Sequence, residues 1–139
     1  MSKKLIITAE IQNWNKIYEF ITKYFQKKGL SKKNVFAMLI SSEEIFSNIL
    51  HHSCTDCGDE ITVLATHRPL EKTMSVVFKY GGVEFNPLNA QLPDVRLPLH
   101  KRKLGGLGLL IVNKFTDNIN YTYTNGKNVL EILKKIVDY

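Results

Sequence analysis

Short β-branched runs alternate along this chain with stretches in which apolar residues recur every three or four positions, and the changes of period mark its elements. Lys4 to Ala9 reads as an edge strand. Trp14, Ile17, Ile21 and Tyr24 follow at helical spacing, which predicts a helix from about residue 11 to Lys28, stopped by Gly29. Ser31 is a suitable N-cap for a second helix reaching about Ser53, with Val35, Met38, Leu39, Ser42, Ile45, Phe46 and Ile49 on one stripe. Strands are expected at Glu60 to His67 and Thr73 to Tyr80, joined as a hairpin across the polar turn Arg68 to Lys72.

From Gly81 to Leu104 the periodicity is lost among the breakers Gly81, Gly82, Pro87, Pro93 and Pro98, a length that compact domains reserve for functional loops. A short helix is expected from Leu107 to Phe115. Two last strands, Asn118 to Thr124 and Asn128 to Val137, turn tightly at Asn125-Gly126. No repeat or linker divides residues 1–139, so the order implies one domain, an α/β two-layer sandwich with a mixed, mainly antiparallel sheet covered on one face by helices.

At 139 residues and 44% hydrophobic content, the chain can bury one core. No run of about 18 apolar residues is present and the start does not read as a signal peptide, so a cytoplasmic protein without a membrane segment is expected. The net charge of +6 is spread over Lys27-Lys28, Lys32-Lys33, Lys101-Arg102-Lys103 and Lys134-Lys135. A DNA-binding protein would cluster that charge on one helix, so direct nucleic-acid binding is not expected. The 101–103 cluster, beside glycines, suits an acidic partner or phosphates. Cys54 and Cys57 follow His51-His52, yet a helix end and a tight loop poorly supply a tetrahedral zinc site, and two reduced thiols are the simpler expectation.

Glu44, Asn48 and His52 are spaced by four, each step advancing about 40° around a helix, so an acid, an amide and an imidazole share one narrow strip. The spacing places this strip opposite the apolar stripe, and by itself it also fits an ordinary solvated face. Gly105-Gly106-Leu107-Gly108 stands directly before a helix, where bare backbone amides and a helix N-terminus can take an anion. Glycines also simply end loops. Tyr80-Gly81-Gly82-Val83-Glu84-Phe85-Asn86-Pro87 lets backbone pass close to something flat, or makes a turn.

Taken in order, these segments resemble the histidine-kinase-like (GHKL) ATPases, and within them the small anti-sigma-factor serine/threonine kinases. The family's Glu-x-x-x-Asn box with a later His is matched at Glu44, Asn48 and His52, and its Gly-Gly-Leu-Gly-Leu box at Gly105 to Leu109. Its Asp-x-Gly-x-x-Phe-Asn-Pro box is matched in part, by Gly82, Phe85, Asn86 and Pro87. The tail Tyr121-x-x-x-Asn125-Gly126-x-Asn128-Val129-Leu130 looks like the subfamily's ending.

The resemblance implies the Bergerat ATP-binding fold, ATP and Mg²⁺ as ligands, and a lid over about residues 86–106. It assigns Asn48 to Mg²⁺, a metal that takes hard oxygen donors, and Glu44 to the general base acting on a partner's hydroxyl. Gly105, Gly106, Leu107 and Gly108 would close over the triphosphate, with Arg102 or Lys103 neutralising charge. Gly82 and Phe85 would line the nucleotide site, and His52 would either touch the ligand or pack the helix end. Implied partners are a sigma factor and an anti-sigma-factor antagonist, with a homodimer that the Lys4 to Ala9 edge could support. Tyr80 stands where the family has an aspartate that accepts a hydrogen bond from adenine, a loss worth about one to two powers of ten in affinity. An active kinase and a non-catalytic binding module therefore both remain open.

Overall fold

The structure, a computed structural model, describes residues 2–52, 59–86 and 106–137. In chain order it comprises β1 (Lys3–Thr8), a 3₁₀ turn (Ile11–Asn13) leading into α1 (Trp14–Lys27), α2 (Lys32–His52), β2 (Glu60–Arg68), β3 (Thr73–Tyr80), α3 (Gly106–Phe115), β4 (Asn118–Thr124) and β5 (Lys127–Lys135). The anticipated elements are all present within a few residues.

Local chemistry sets most of their ends. Helix α1 stops at Gly29, whose φ of 80° is left-handed. The Gly29 and Leu30 amides turn back to the Gln26 and Phe25 carbonyls at 2.9 and 3.2 Å, a Schellman ending that needs a residue without Cβ strain. Helix α2 is capped by Ser31, whose Oγ accepts from the Asn34 amide at 3.4 Å and from Asn34 Nδ2 at 2.9 Å. The β4–β5 turn has Asn125 and Gly126 both at positive φ (54° and 75°), as a two-residue hairpin with the right-handed strand twist requires.

The five strands form one sheet in the order β1-β2-β3-β5-β4. A mixed sheet was expected, but every neighbouring pair is antiparallel. The crossover from β3 through α3 does return β4 in the direction of β3, yet β5 folds back between them and pairs with both. The parallel relationship is therefore never a hydrogen-bonded one. β1 lies at one edge of the sheet and β4 at the other.

Alternation along the strands directs one face toward the helices. Ile61, Val63, Ala65, Met74, Val76, Phe78, Tyr80, Leu130 and Ile132 are fully buried there, against Ile17, Ile21 and Phe25 of α1 and Met38, Ile45, Phe46 and Ile49 of α2. α2 packs against both α1 and α3. Trp14 stacks on Phe46 with ring centroids 6.2 Å apart, and Phe36 meets Phe115 edge-on at 6.0 Å. β5 is shorter than expected because residues after 135 are held elsewhere. The Ile136 amide donates to the Lys72 carbonyl, and Val137 exchanges two hydrogen bonds with the buried Asn34 side chain.

Phe46 thus joins the start of α1 to the middle of α2. Phe46→Ala is expected to cost about 3–5 kcal/mol in denaturant unfolding, with Trp14 fluorescence red-shifted as its stacking partner disappears.

Candidate functional site

On α2, the structure places Glu44 and Asn48 one turn apart, both half-buried. They do not lie opposite the apolar stripe as the spacing implied. Positions 37, 41, 44 and 48 share a flank, and Ala37 and Ser41 on it are buried. The solvated face is carried instead by Lys32, Lys33, Phe36, Glu43 and His51. Glu44 and Asn48 therefore sit on the shoulder between core and water, where a side chain is both held and reachable. His52 ends α2, and its side chain is outside the described residues.

Glu44 also lines an open cleft of about 310 Å³ between α2 and the start of α1, walled by Ile11, Gln12, Trp14, Asn15, Glu43, Phe46 and Ser47. Burial, and then the neighbouring charge of Glu43, raise its carboxyl pKa above the ordinary 4.5. A carboxylate that holds its proton more tightly is a better acceptor of one. In the same helix the buried hydroxyls of Ser41 and Ser42 have no hydrogen-bond partner among the described residues.

A second constellation lies where β3 ends. Tyr80 is fully buried on the helix-facing side, and its hydroxyl donates to the Phe85 carbonyl at 3.1 Å. Burial, with Tyr121 nearby, pushes its phenol well above the usual range, so it stays neutral. Gly82 is exposed at a φ of 82°, the left-handed turn that lets the chain double back toward Phe85.

What fixes this strap is Asn128, at the start of β5 and fully buried. Its Nδ2 donates to the carbonyls of Tyr80, Gly81 and Val83 at 3.3, 3.1 and 3.2 Å. Its Oδ1 accepts from the Phe85 amide at 2.9 Å and from the Tyr121 hydroxyl. Sequence reading placed Asn128 at the start of the last strand and in a family-like tail, without a role in a site. The available signal was its period-two alignment with Leu130 and Ile132, which puts an amide on the core face.

Of the glycine run, Gly106, Leu107 and Gly108 open α3 as backbone, beginning one residue earlier than anticipated. Arg102, Lys103, Gly105, Pro87, most of the lid segment, Cys54 and Cys57 lie outside the described residues. Among the described residues no group of three metal-binding side chains occurs, and no helix is long and apolar enough to cross a membrane.

Two outcomes follow from this geometry. Between pH 4.5 and the raised pKa of Glu44, the folded chain holds a proton that the unfolded chain has released, so this group's contribution to stability falls as pH rises. Glu44→Gln should consequently gain in Tm over wild type as pH climbs through that window; a constant difference from pH 4 to 8 would contradict the assignment. Asn128→Ala strands several buried backbone groups and should cost about 1–3 kcal/mol, with hydrogen exchange accelerating at the Phe85 amide more than in β2.

The comparisons with known proteins agree with this architecture. Serine-protein kinase RsbW of Bacillus cereus (strain B4264) is 26% identical over 108 residues, an alignment covering 75% of this chain and 66% of that protein. A crystal structure of the RsbU and RsbW domains of a Mycobacterium tuberculosis protein superposes with a TM-score of 0.68 over 98% of this chain, at 11% identity. This chain spans only 32% of that one, and at such identity the likeness is one of fold. The family description "histidine kinase-like ATPase domain" matches residues 7–134, from the end of β1 through the Glu44–Asn48 shoulder and the Tyr80–Phe85 strap to nearly all of β5, and the chain belongs to that family.

Proposed function

We propose that the protein is an anti-sigma regulator with serine/threonine kinase activity toward an anti-sigma-factor antagonist. One observation carries the reading: Glu44 is a half-buried carboxyl of raised proton affinity on the wall of an open cleft, one turn from Asn48. That pairing supports a division of labour along α2. Bound ATP supplies the phosphoryl group. Glu44 receives the proton of a partner's serine or threonine hydroxyl as that oxygen becomes the nucleophile. Asn48 offers an uncharged amide oxygen, a donor type that fits Mg²⁺.

The cleft supports the choice of a protein substrate. It is open to water and walled by Ile11, Trp14 and Phe46 beside Gln12 and Asn15, a mix of apolar and amide groups that suits a peptide segment. The Phe36–Phe115 contact supports the rest, because it fixes the last turn of α3 beside the first turns of α2. An antiparallel course for α3 would carry Gly106 back by about 1.5 Å per residue to the level of Glu44 and Asn48. The amides opening α3 would then meet the phosphates, with Gly105, Arg102 and Lys103 contributing from the lid. Phosphorylation of the antagonist would free the protein to hold a sigma factor in the cytoplasm, as a homodimer in keeping with the subfamily it resembles.

A second reading has its own support. Tyr80 fills the position of the family's base-reading aspartate with a fully buried ring whose hydroxyl is given to Phe85. That favours a non-catalytic module of the same fold, which captures partners without nucleotide.

Thermal melting separates the two. Under the kinase reading Tm rises with the concentration of Mg-ATP, because a ligand for the folded form alone stabilises by mass action. Glu44→Ala should keep this rise and abolish transfer to the antagonist, and Asn48→Ala should lose the magnesium-dependent part. No shift at millimolar ATP would hand the protein to the binding-module reading.

A further inference from the structure

We infer that this nucleotide site selects for phosphate and not for base, so that adenosine and guanosine triphosphates bind about equally well. The inference rests on the proposed nucleotide site and concerns its base end alone. Its ground is the hydrogen-bond accounting around Asn128.

A side-chain amide has two protons to give and two lone pairs to offer. Asn128 spends both protons on the three carbonyls of Tyr80, Gly81 and Val83, and both lone pairs on the Phe85 amide and the Tyr121 hydroxyl. Tyr80 gives its one proton to the Phe85 carbonyl, and Tyr121 gives its own to Asn128. The donor protons of Asn128, Tyr80 and Tyr121 are all turned onto neighbours, and what these three side chains leave for a purine edge is neutral phenol oxygen, a weaker acceptor than a carboxylate.

Base selectivity needs the opposite. Adenine presents an amino donor where guanine presents a carbonyl acceptor, and a site discriminates when the wrong base leaves a buried reader unpaired. Tyr80 occupies the reader's position as a neutral phenol with its proton committed, and among the described residues no buried carboxylate stands in the cluster. Two carboxylates do approach it. Asp59 lies beside Gly81, with Oδ2 3.9 Å from where a Cβ would sit, and the charge of Glu84 raises the pKa of Tyr121. Both residues are exposed, where water competes for any base they touch and little discrimination survives.

The test measures dissociation constants of the full chain for Mg-ATP, Mg-GTP and Mg-tripolyphosphate by calorimetry. Expected are ATP and GTP constants within about threefold of each other, with tripolyphosphate binding measurably. Tyr80→Asp, which restores a buried acceptor, should favour ATP over GTP by about tenfold to a hundredfold. Because a new buried carboxylate could unfold the chain, Tyr80→Phe serves as the second variant and should leave the ATP-to-GTP ratio unchanged. A wild-type preference above about tenfold for either nucleotide, or a ratio that moves in Tyr80→Phe, would overturn the inference while leaving the kinase reading intact. Binding of none of the three ligands would overturn both.

Discussion

Asn128 ties together pieces of chain that are more than 40 residues apart, and the shape of the turn after β3 follows from that one buried amide. Its neighbours in β5, Leu130 and Ile132, continue the core face of the sheet. At the rim of that face an apolar residue would have left the turn after β3 without partners, and a charged one would have needed a counter-ion. The amide satisfies four backbone groups of the strap in their folded geometry, and the Tyr121 hydroxyl takes its last acceptor position. The strap in turn holds the Phe85 carbonyl where the Tyr80 hydroxyl donates to it, so the end of β3 is tied from both sides.

The same economy makes α2 and the end of β3 different in kind. Along α2, Glu44 and Asn48 occupy a shoulder where burial is partial and side chains can still reach a ligand. At the end of β3, polar groups are consumed by the fold itself. Membership of the histidine kinase-like ATPase domain family is compatible with both, since the family is defined over residues 7–134 and a fold tolerates exchange at one end of a pocket while the other is kept. Tyr80 itself is a large ring that gains its stabilisation from burial in the core cluster with Phe78 and Leu130.

Most of the fold was legible in the residue pattern because its signals were local. Gly29, Ser31 and Asn125-Gly126 each end or begin an element by a backbone rule that needs no distant partner. What was not legible depended on tertiary pairing. The all-antiparallel sheet arises because β5 inserts between β3 and β4, and no residue in those strands announces which neighbour it will take. Glu44 and Asn48 were placed opposite the core by helical spacing, but the covering of Ala37 and Ser41 widens the buried arc and turns that opposite face into a shoulder. Asn128 was legible as the first residue of the last strand, but its five hydrogen bonds reach residues 80–85 and 121, and nothing local to it points there.

The central claim is that α2, through Asn48, meets the phosphate end of a nucleotide while the Asn128 cluster stays closed. A heteronuclear NMR titration of side-chain and backbone amides with Mg-ATP tests it most directly. The account predicts that the Asn48 side-chain amide shifts strongly with Mg-ATP and weakly with ATP in excess chelator, and that the Asn128 side-chain amide keeps its position and its slow exchange. Shifts confined to another cleft, such as that lined by Asn113, Thr116, Asp117, Asn118 and Ile119, with Asn48 unmoved, would contradict it.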